Sequence, residues 1–578
     1  MKKTSNYIQQ FTCLTILFLF VMNTYSQKAD FSYREPYFLE INTPKFALKY
    51  HTHRLDDEWG IWGHNVYKLL ENTKHTDSVY ALINGIRNKK QLCFASTELE
   101  EMILAKTIDS DKKKYIIAPK DNALSCQCDL CKKLGNTKTN SSPAVFTLLN
   151  KLASKKPHLS FYTLVYPPVI HTPTFDIEKN VGILFSTIKY QQGIPYERQK
   201  NFDKLHQELL QWKKKVNEII VWDYALNFDN YNDFYPMLQV AQKNLRFFKS
   251  IGINGVFYNG SESYAAFQEL KTTILSKLLV DVNIDIKKEI KNYFYNHYPS
   301  AIAEILTPFY LAIEDNFYAS NKKQHIYSNI RKTEKKYLEL NSFFTFYDEL
   351  LAKYKQLVEP SNRVHKLLIS ATYLKLELIR IHGIGTLPKS SDTDISEMLV
   401  MLKTLTEKLH IVELNETKAT FKEYIYLWEK ELKKPKFKNE LHLHQLIINS
   451  KLDEDYKNVK MLVDGKSGFL DYNTNWFIVS KNDLVFQLHK NIKKEDTLLL
   501  NFLNDPVHHI YFPKEITITI DGKESFRKKI KNTQKKETQQ VSFNFQKTYN
   551  TPIIVTIKRR FSDRKSAIAS DEIILKSK

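Results

Sequence analysis

Glycine is scarce in this sequence, with 14 in 578 residues beside 18 prolines. With 43% hydrophobic and 26% charged residues, that excludes collagen, low complexity and disorder, and leaves a globular chain long enough for two to four domains. No Gly-rich phosphate loop follows the first strand-like run, which counts against a dinucleotide-binding open sheet. The formal charge is +21, yet the lysines are spread along the chain, without an arginine-rich arm or zinc-finger spacing. A solvated surface accounts for them better than nucleic acid does, and an anionic glycan or a membrane surface would suit the same balance. Beyond the N-terminus no stretch reaches membrane-spanning length.

Aromatic residues are plentiful, at 13% with 33 Tyr and 35 Phe, as suits a protein that stacks flat rings on a ligand. The N-terminus has Lys2 and Lys3, an apolar core from Phe11 to Met22, and small residues at Thr24 and Ser26 before Gln27. This reads as a secretory signal over residues 1–26. Cys13 lies inside the apolar core without the small residues that precede a lipoprotein cut. A secreted or periplasmic location follows, which argues against a nucleic-acid partner and for an extracellular substrate.

Between residues 31 and 260 short apolar or β-branched runs alternate with longer amphipathic stretches, the pattern of repeated βα units. Strands are expected at 31–35, 59–63, 91–95, 115–118, 159–165, 181–185, 219–222 and 255–258. Helical patterns lie between several of them, as at 144–155, 199–216 and 237–251. Eight strands in about 230 residues suit a (β/α)8 barrel over residues 27–262, with an open doubly wound sheet as the alternative. Residues 263–436 read as a helical domain, with long amphipathic stretches such as 326–354 and 361–382. From 437 to 578 the period changes to two, with a turn at Asp521-Gly522, as in a β-sandwich. The expected class is therefore α/β: a barrel, a helical domain and a C-terminal β-sandwich.

A barrel places its chemistry at the carboxyl ends of its strands. Those ends carry Arg34 and Glu35, His64 and Asn65, Asp121 and Asn122, Tyr166, then Asp223, Tyr224 and Asn227, and finally Asn259 and Glu262. The segments Trp62-Gly-His-Asn65 and Trp222-Asp-Tyr-Ala-Leu-Asn-Phe228 mix aromatics with acids and amides, as sugar sites do.

The runs 58–65 (EWGIWGHN), 91–96 (QLCFAS), 118–131 (APKDNALSCQCDLC), 221–228 (VWDYALNF) and 244–260 (NLRFFKSIGINGVFYNG) together resemble the DUF4838 family. The resemblance covers about residues 31 to 310. It implies a secreted, glycoside-hydrolase-like barrel distantly similar to α-glucuronidases and β-hexosaminidases, acting on carbohydrate. Family members often carry an acid or Gln in the last strand where this chain has Asn259. That keeps open a non-catalytic carbohydrate-binding protein as the alternative to a hydrolase.

Glycoside hydrolysis normally needs two carboxyl groups, one protonated and one ionised. Asp121 and Asp223, at two distant strand ends, are the pair expected to face each other across the pocket. The acid-amide sequence Asp121-Asn122 resembles arrangements in retaining hexosaminidases. Glu35 and Glu262 are reserve acids, and they are expected, with His64, Asn65, Asn122, Tyr166, Tyr224, Asn227 and Asn259, to bind substrate or orient sugar hydroxyls. Catalysis of this kind requires no cofactor. If the positive charge serves binding, the ligand is an acidic glycan.

Cys126-x-Cys128-x-x-Cys131, with Cys93 on a neighbouring strand, offers either four thiolate ligands for a structural zinc or two disulfides. Export favours disulfides, whereas clustered thiolates on one loop suit a tetrahedral metal. Residues 462–468, Trp476, 503–513 and 571–573 resemble a discoidin-type (F5/8 C) carbohydrate-binding module, with His508, His509 and Tyr511 near one of its loops.

Overall fold

The computed structural model describes residues 29–577 apart from 72, 109, 435–437, 454–457, 473, 563 and 564. The expected leader at 1–26 lies outside the described residues.

The N-terminal half forms nine strands: β1 (Tyr33–Phe38), β2 (Trp59–Ile61), β3 (Tyr80–Ile83), β4 (Ile86–Leu92), β5 (Lys114–Ile116), β6 (Ser160–Val165), β7 (Val181–Ser186), β8 (Ile219–Tyr224) and β9 (Gly255–Ser261). Seven make one sheet in the order β1-β9-β8-β7-β6-β5-β2, and every ladder in it is parallel. Central strands of such a sheet are covered on both faces, and β7 is buried at all six positions. Gly182 in β7 leaves room for the Tyr162 ring, since a Cβ there would lie 2.4 Å from Tyr162 Cε1.

The sheet curls so that one face encloses its own core. Tyr33, Trp59, Ile116, Tyr162, Leu164, Leu184, Ile220 and Phe257, drawn from all seven strands, form one buried cluster. The edge strands β1 and β2 meet there by side chains, with the Tyr33 and Trp59 rings edge-on at 6.0 Å and the Trp59 indole donating to the Tyr33 hydroxyl at 3.2 Å. Among the described residues no ladder joins β1 to β2.

The strand expected at 91–95 is not part of this sheet, which therefore has seven strands rather than eight. Residues 86–92 instead pair antiparallel with 80–83 across Asn84-Gly85, both left-handed at φ of 49° and 81°. Asn-Gly in that conformation is a hairpin turn, so local turn chemistry removes the segment from the parallel order. Asp121 consequently follows the third strand of the sheet in chain order and not the fourth.

Helices pack on the outer face. Ser142–Lys155, Phe202–Lys213 and Leu238–Ser250 cover the strands, and a helical run from Gln268 to Leu432 follows. Its centre is the helix Asn362–His382, buried almost all round. The stretch 326–354 is broken into Ile330–Glu334 and Leu340–Gln356, because the Glu339 carboxylate accepts from the Asn341 and Ser342 amides at 3.0 and 2.7 Å and starts a new helix. One buried cluster runs from Phe31 under the sheet to Trp428 and Phe469. The remainder forms a five-stranded and a four-stranded antiparallel sheet that share a second buried cluster. No helix among the described residues is long and apolar enough to cross a membrane.

Candidate active site

Successive strand residues point to opposite faces of a sheet. At the carboxyl end of the curled sheet that alternation turns Tyr37, Trp62, Tyr166 and Trp222 onto the inner cluster. Tyr224, two residues after Trp222, shares its face, and its hydroxyl lies 3.1 Å from the Ser186 hydroxyl. These aromatic groups line the mouth above the enclosed core.

Asp121 is exposed at this mouth. Its charge and a hydrogen bond, added to burial, push the Tyr166 phenol up to about 12, and its charge also reaches Tyr224. The His64 ring meets Tyr166 edge-on at 5.4 Å, and its Nδ1 hydrogen bonds the Pro119 carbonyl at 2.6 Å. That bond holds the imidazole against the loop bearing Asp121.

A second carboxylate, exposed in the helical region, feels the charge of Asp121. Glu416 sits in the turn before the helix Phe421–Leu432, and its backbone amide donates to Phe228 O at 2.9 Å. Tyr327 donates its hydroxyl to the Glu416 carboxylate at 3.0 Å. Burial and then the charge of Asp121 raise the Glu416 carboxyl above the usual range, while the Tyr327 bond and His508 oppose the rise. His508 comes from the C-terminal sheets, where it bonds Asp505 at 2.9 Å and lies 4.2 Å from the Tyr472 ring. Groups from three separate parts of the chain thus act at Glu416.

Asp223 does not join Asp121. It lies on the opposite face of β8 from Trp222 and Tyr224, buried between sheet and helices. Its Oδ1 accepts from the Thr187 hydroxyl at 2.8 Å, the Tyr196 hydroxyl at 2.7 Å and the Tyr224 amide at 3.0 Å. Burial raises its carboxyl despite those bonds.

Glu35 and Glu262 occupy another part of the mouth. Glu262 is exposed and accepts from the Tyr37 hydroxyl. Glu35 lies beneath, two residues below Tyr37 on the inner face, fully buried, accepting from the Tyr33 hydroxyl and from the Leu55 amide at 2.7 Å. Burial lifts its carboxyl to about 8, so it is protonated at neutral pH.

The amides divide. Asn122 is spent on structure, donating to Lys90 O and accepting from Gln91 and the Leu124 amide. Asn227 is buried, donating to Asp233 at 2.7 Å and to Ser328 O at 2.9 Å, which positions the β8 loop against the helices. Asn65 opens the short helix Asn65–Leu70, half-buried beside His64. Asn259 is half-buried in β9 opposite Tyr224.

Cys93, Cys126, Cys128 and Cys131 come together as a buried group whose sulfurs all lie within 4.8 Å of one another. Cys93 follows the β3–β4 hairpin, Cys126 and Cys128 lie on the loop that begins with Asp121, and Cys131 lies on the short helix Asp129–Leu134 that follows it. No His is among them, and they do not open onto the cleft.

The sequence gives little to single out Glu416 or Tyr327. Both lie in polar connections between amphipathic helices, where an acid or phenol is ordinary. Only the effect of Asp121 on Glu416 and the Tyr327–Glu416 bond distinguish them.

No curated protein matches the chain. Among solved structures, a GH138 enzyme targeting pectin rhamnogalacturonan II aligns with 94% of this chain and 84% of its own, at 10% sequence identity and a TM-score of 0.32. Residues 19–310, half of the chain, match the model of a family described as a domain of unknown function, DUF4838, and the chain belongs to that family.

Proposed function

We propose that this is an exported glycoside hydrolase whose two working carboxyls are Asp121 and Glu416. The observation that carries the reading is that the charge of Asp121 acts on Glu416, Tyr166 and Tyr224, while Tyr327 bonds Glu416. Glu416, exposed like Asp121 but with its carboxyl raised by desolvation and by its neighbour's charge, suits the acid that protonates the leaving oxygen. Asp121, open to water, suits the nucleophile or base. His64, Tyr166 and Tyr224 would orient sugar hydroxyls. The reaction itself needs no cofactor, and a metal at the cysteine cluster would serve structure.

In this reading residues 27–262 act as a glycosidase-like barrel completed by side chains between β1 and β2. Residues 263–436 form the helical domain that supplies Glu416, and residues 437–578 a β-sandwich that binds carbohydrate beside the cleft. Asp121, Glu262 and Glu416 give the mouth an acidic character that favours a neutral or amino-bearing sugar over an acidic glycan.

Asp121→Asn and Glu416→Gln, assayed beside the wild type on aryl glycosides and on neutral and anionic polysaccharides, test the pair. Each should lower turnover by about 10²–10⁴-fold. Glu416→Gln should also abolish the alkaline fall of the pH profile, which reports loss of the acid's proton. Undiminished turnover in both variants would refute the assignment. Binding without turnover by the wild type would instead favour a non-catalytic carbohydrate-binding protein, a reading that the neutral Asn259 at the end of β9 supports.

A further inference from the structure

We propose that Cys93, Cys126, Cys128 and Cys131 bind one zinc ion as four thiolates in a closed structural site. The Cys93 sulfur lies 3.7 Å from that of Cys128 and 3.7 Å from that of Cys131, and all four fall within 4.8 Å of one another. A disulfide would bring two sulfurs to about 2.05 Å. A tetrahedron with zinc–sulfur bonds of about 2.3 Å has edges of about 3.8 Å, the bond length multiplied by √(8/3). The two separations of 3.7 Å from Cys93 fit the edge of that tetrahedron and not a bond.

The surroundings suit thiolates. The Leu82 amide points at the Cys126 sulfur at 3.3 Å and the Cys131 amide at the Cys128 sulfur at 3.5 Å, the backbone donors that steady ligand sulfurs in metal sites. All four cysteines are at most 7% exposed, so no coordination position is left for water or substrate, and the role is structural. Four soft sulfurs in tetrahedral array select zinc or iron. Zinc is preferred here because an exported chain meets oxidants, and zinc takes no part in redox chemistry.

The site also has a mechanical purpose. Among the described residues the β3–β4 hairpin has no ladder to the parallel sheet. It is attached through the Gln127 amide to Leu82 O at 2.8 Å and through Gln91, whose side chain bonds Lys120 and Asn122. A metal shared by Cys93 and the loop cysteines would clamp hairpin and loop together directly behind Asp121.

The experiment uses the purified chain without its leader. Elemental analysis should find one zinc per chain. Thiol titration in denaturant with a chelator, and no reductant, should release four thiols. Replacement of zinc by cobalt(II) should bring the visible absorption of tetrahedral thiolate coordination, and Cys93→Ser should lose or markedly alter that spectrum. Cobalt loading of the wild type keeps the test decisive if the variant does not fold. Thiols that appear only after reduction, four thiols with no bound metal, or stoichiometric iron in place of zinc would each overturn the proposal.

Discussion

Asp223 has the placement of a strand-end catalytic acid and the surroundings of a structural one, and substitution separates the two. Three donors, the Thr187 and Tyr196 hydroxyls and the Tyr224 amide, converge on its Oδ1 at 2.7 to 3.0 Å. Asp223→Ala takes the acceptor from the Tyr224 amide and leaves the buried hydroxyls with one longer bond each, Thr187 to Trp222 O at 3.2 Å and Tyr196 to Gln192 at 3.3 Å. The orphaned amide costs about 1–3 kcal/mol, and the two hydroxyls, each left with a longer bond, add less, for a total of roughly 2–4 kcal/mol. Asp223→Asn keeps a carbonyl oxygen where Oδ1 stood and removes a charge that burial already disfavours, so its cost should stay within about 1 kcal/mol. Unfolding in urea, followed by near-ultraviolet circular dichroism and compared as midpoints because several cooperative units are present, should show a large shift for Ala and a small one for Asn. On a substrate that the wild type cleaves, Asp223→Asn should keep its turnover while Asp121→Asn loses it. If Asp223→Asn abolished cleavage with an unchanged midpoint, the carboxylate would belong to the reacting pair and the face assignment of β8 would be mistaken.

Glu35 predicts a pH dependence of stability. Its carboxyl rises from 4.5 to about 8 on folding, so the folded chain holds a proton that the unfolded chain releases. That contribution is complete below pH 4.5 and is lost as pH rises through 8, a decline of a few kcal/mol at about 1.4 kcal/mol per pH unit. Thermal unfolding from about pH 5 to 9 should fall more steeply in the wild type than in Glu35→Gln, and parallel curves would show that Glu35 does not titrate in this window. Gly182→Ala should lower the melting temperature by an amount equivalent to about 1–3 kcal/mol, as overpacking against the Tyr162 ring requires. An unchanged melting temperature would mean that the ring has room to move.

Much of the fold is legible because parallel strands buried on both faces are written as short apolar runs. Val181–Ser186 and Ile219–Tyr224 stand out by that criterion alone. The antiparallel C-terminal strands alternate clearly, as Leu484–Leu488 and Ile553–Lys558 do. The segment 91–95 misleads because its apolar residues serve a different core. Leu92, Cys93 and Phe94 are buried against the hairpin and the outer cluster. The signal that separates them is the Asn84-Gly85 turn a few residues upstream, which commits Ile86–Leu92 to antiparallel pairing before any parallel neighbour can claim it.

The candidate site is harder to read for a reason that lies in the chain's organisation. Reading strand ends finds Asp121, His64, Tyr166 and Tyr224, because the sheet itself places them. It cannot resolve Asp223 from Tyr224 unless the register is known, since one residue of displacement exchanges the two faces. Here Tyr224 follows Trp222 onto the inner face and so forces Asp223 outward, where Thr187 and Tyr196 receive it. The second carboxyl that we propose, Glu416, lies outside the sheet, on a turn whose sequence, Leu414-Asn-Glu-Thr417, carries no periodic or motif signal. Its position depends on the Glu416 amide bonding Phe228 O and on Tyr327 bonding its carboxylate, contacts between segments about ninety to two hundred residues apart. A site drawn from separate parts of the chain follows from how those parts pack, and packing between distant segments is the level at which local pattern carries least information.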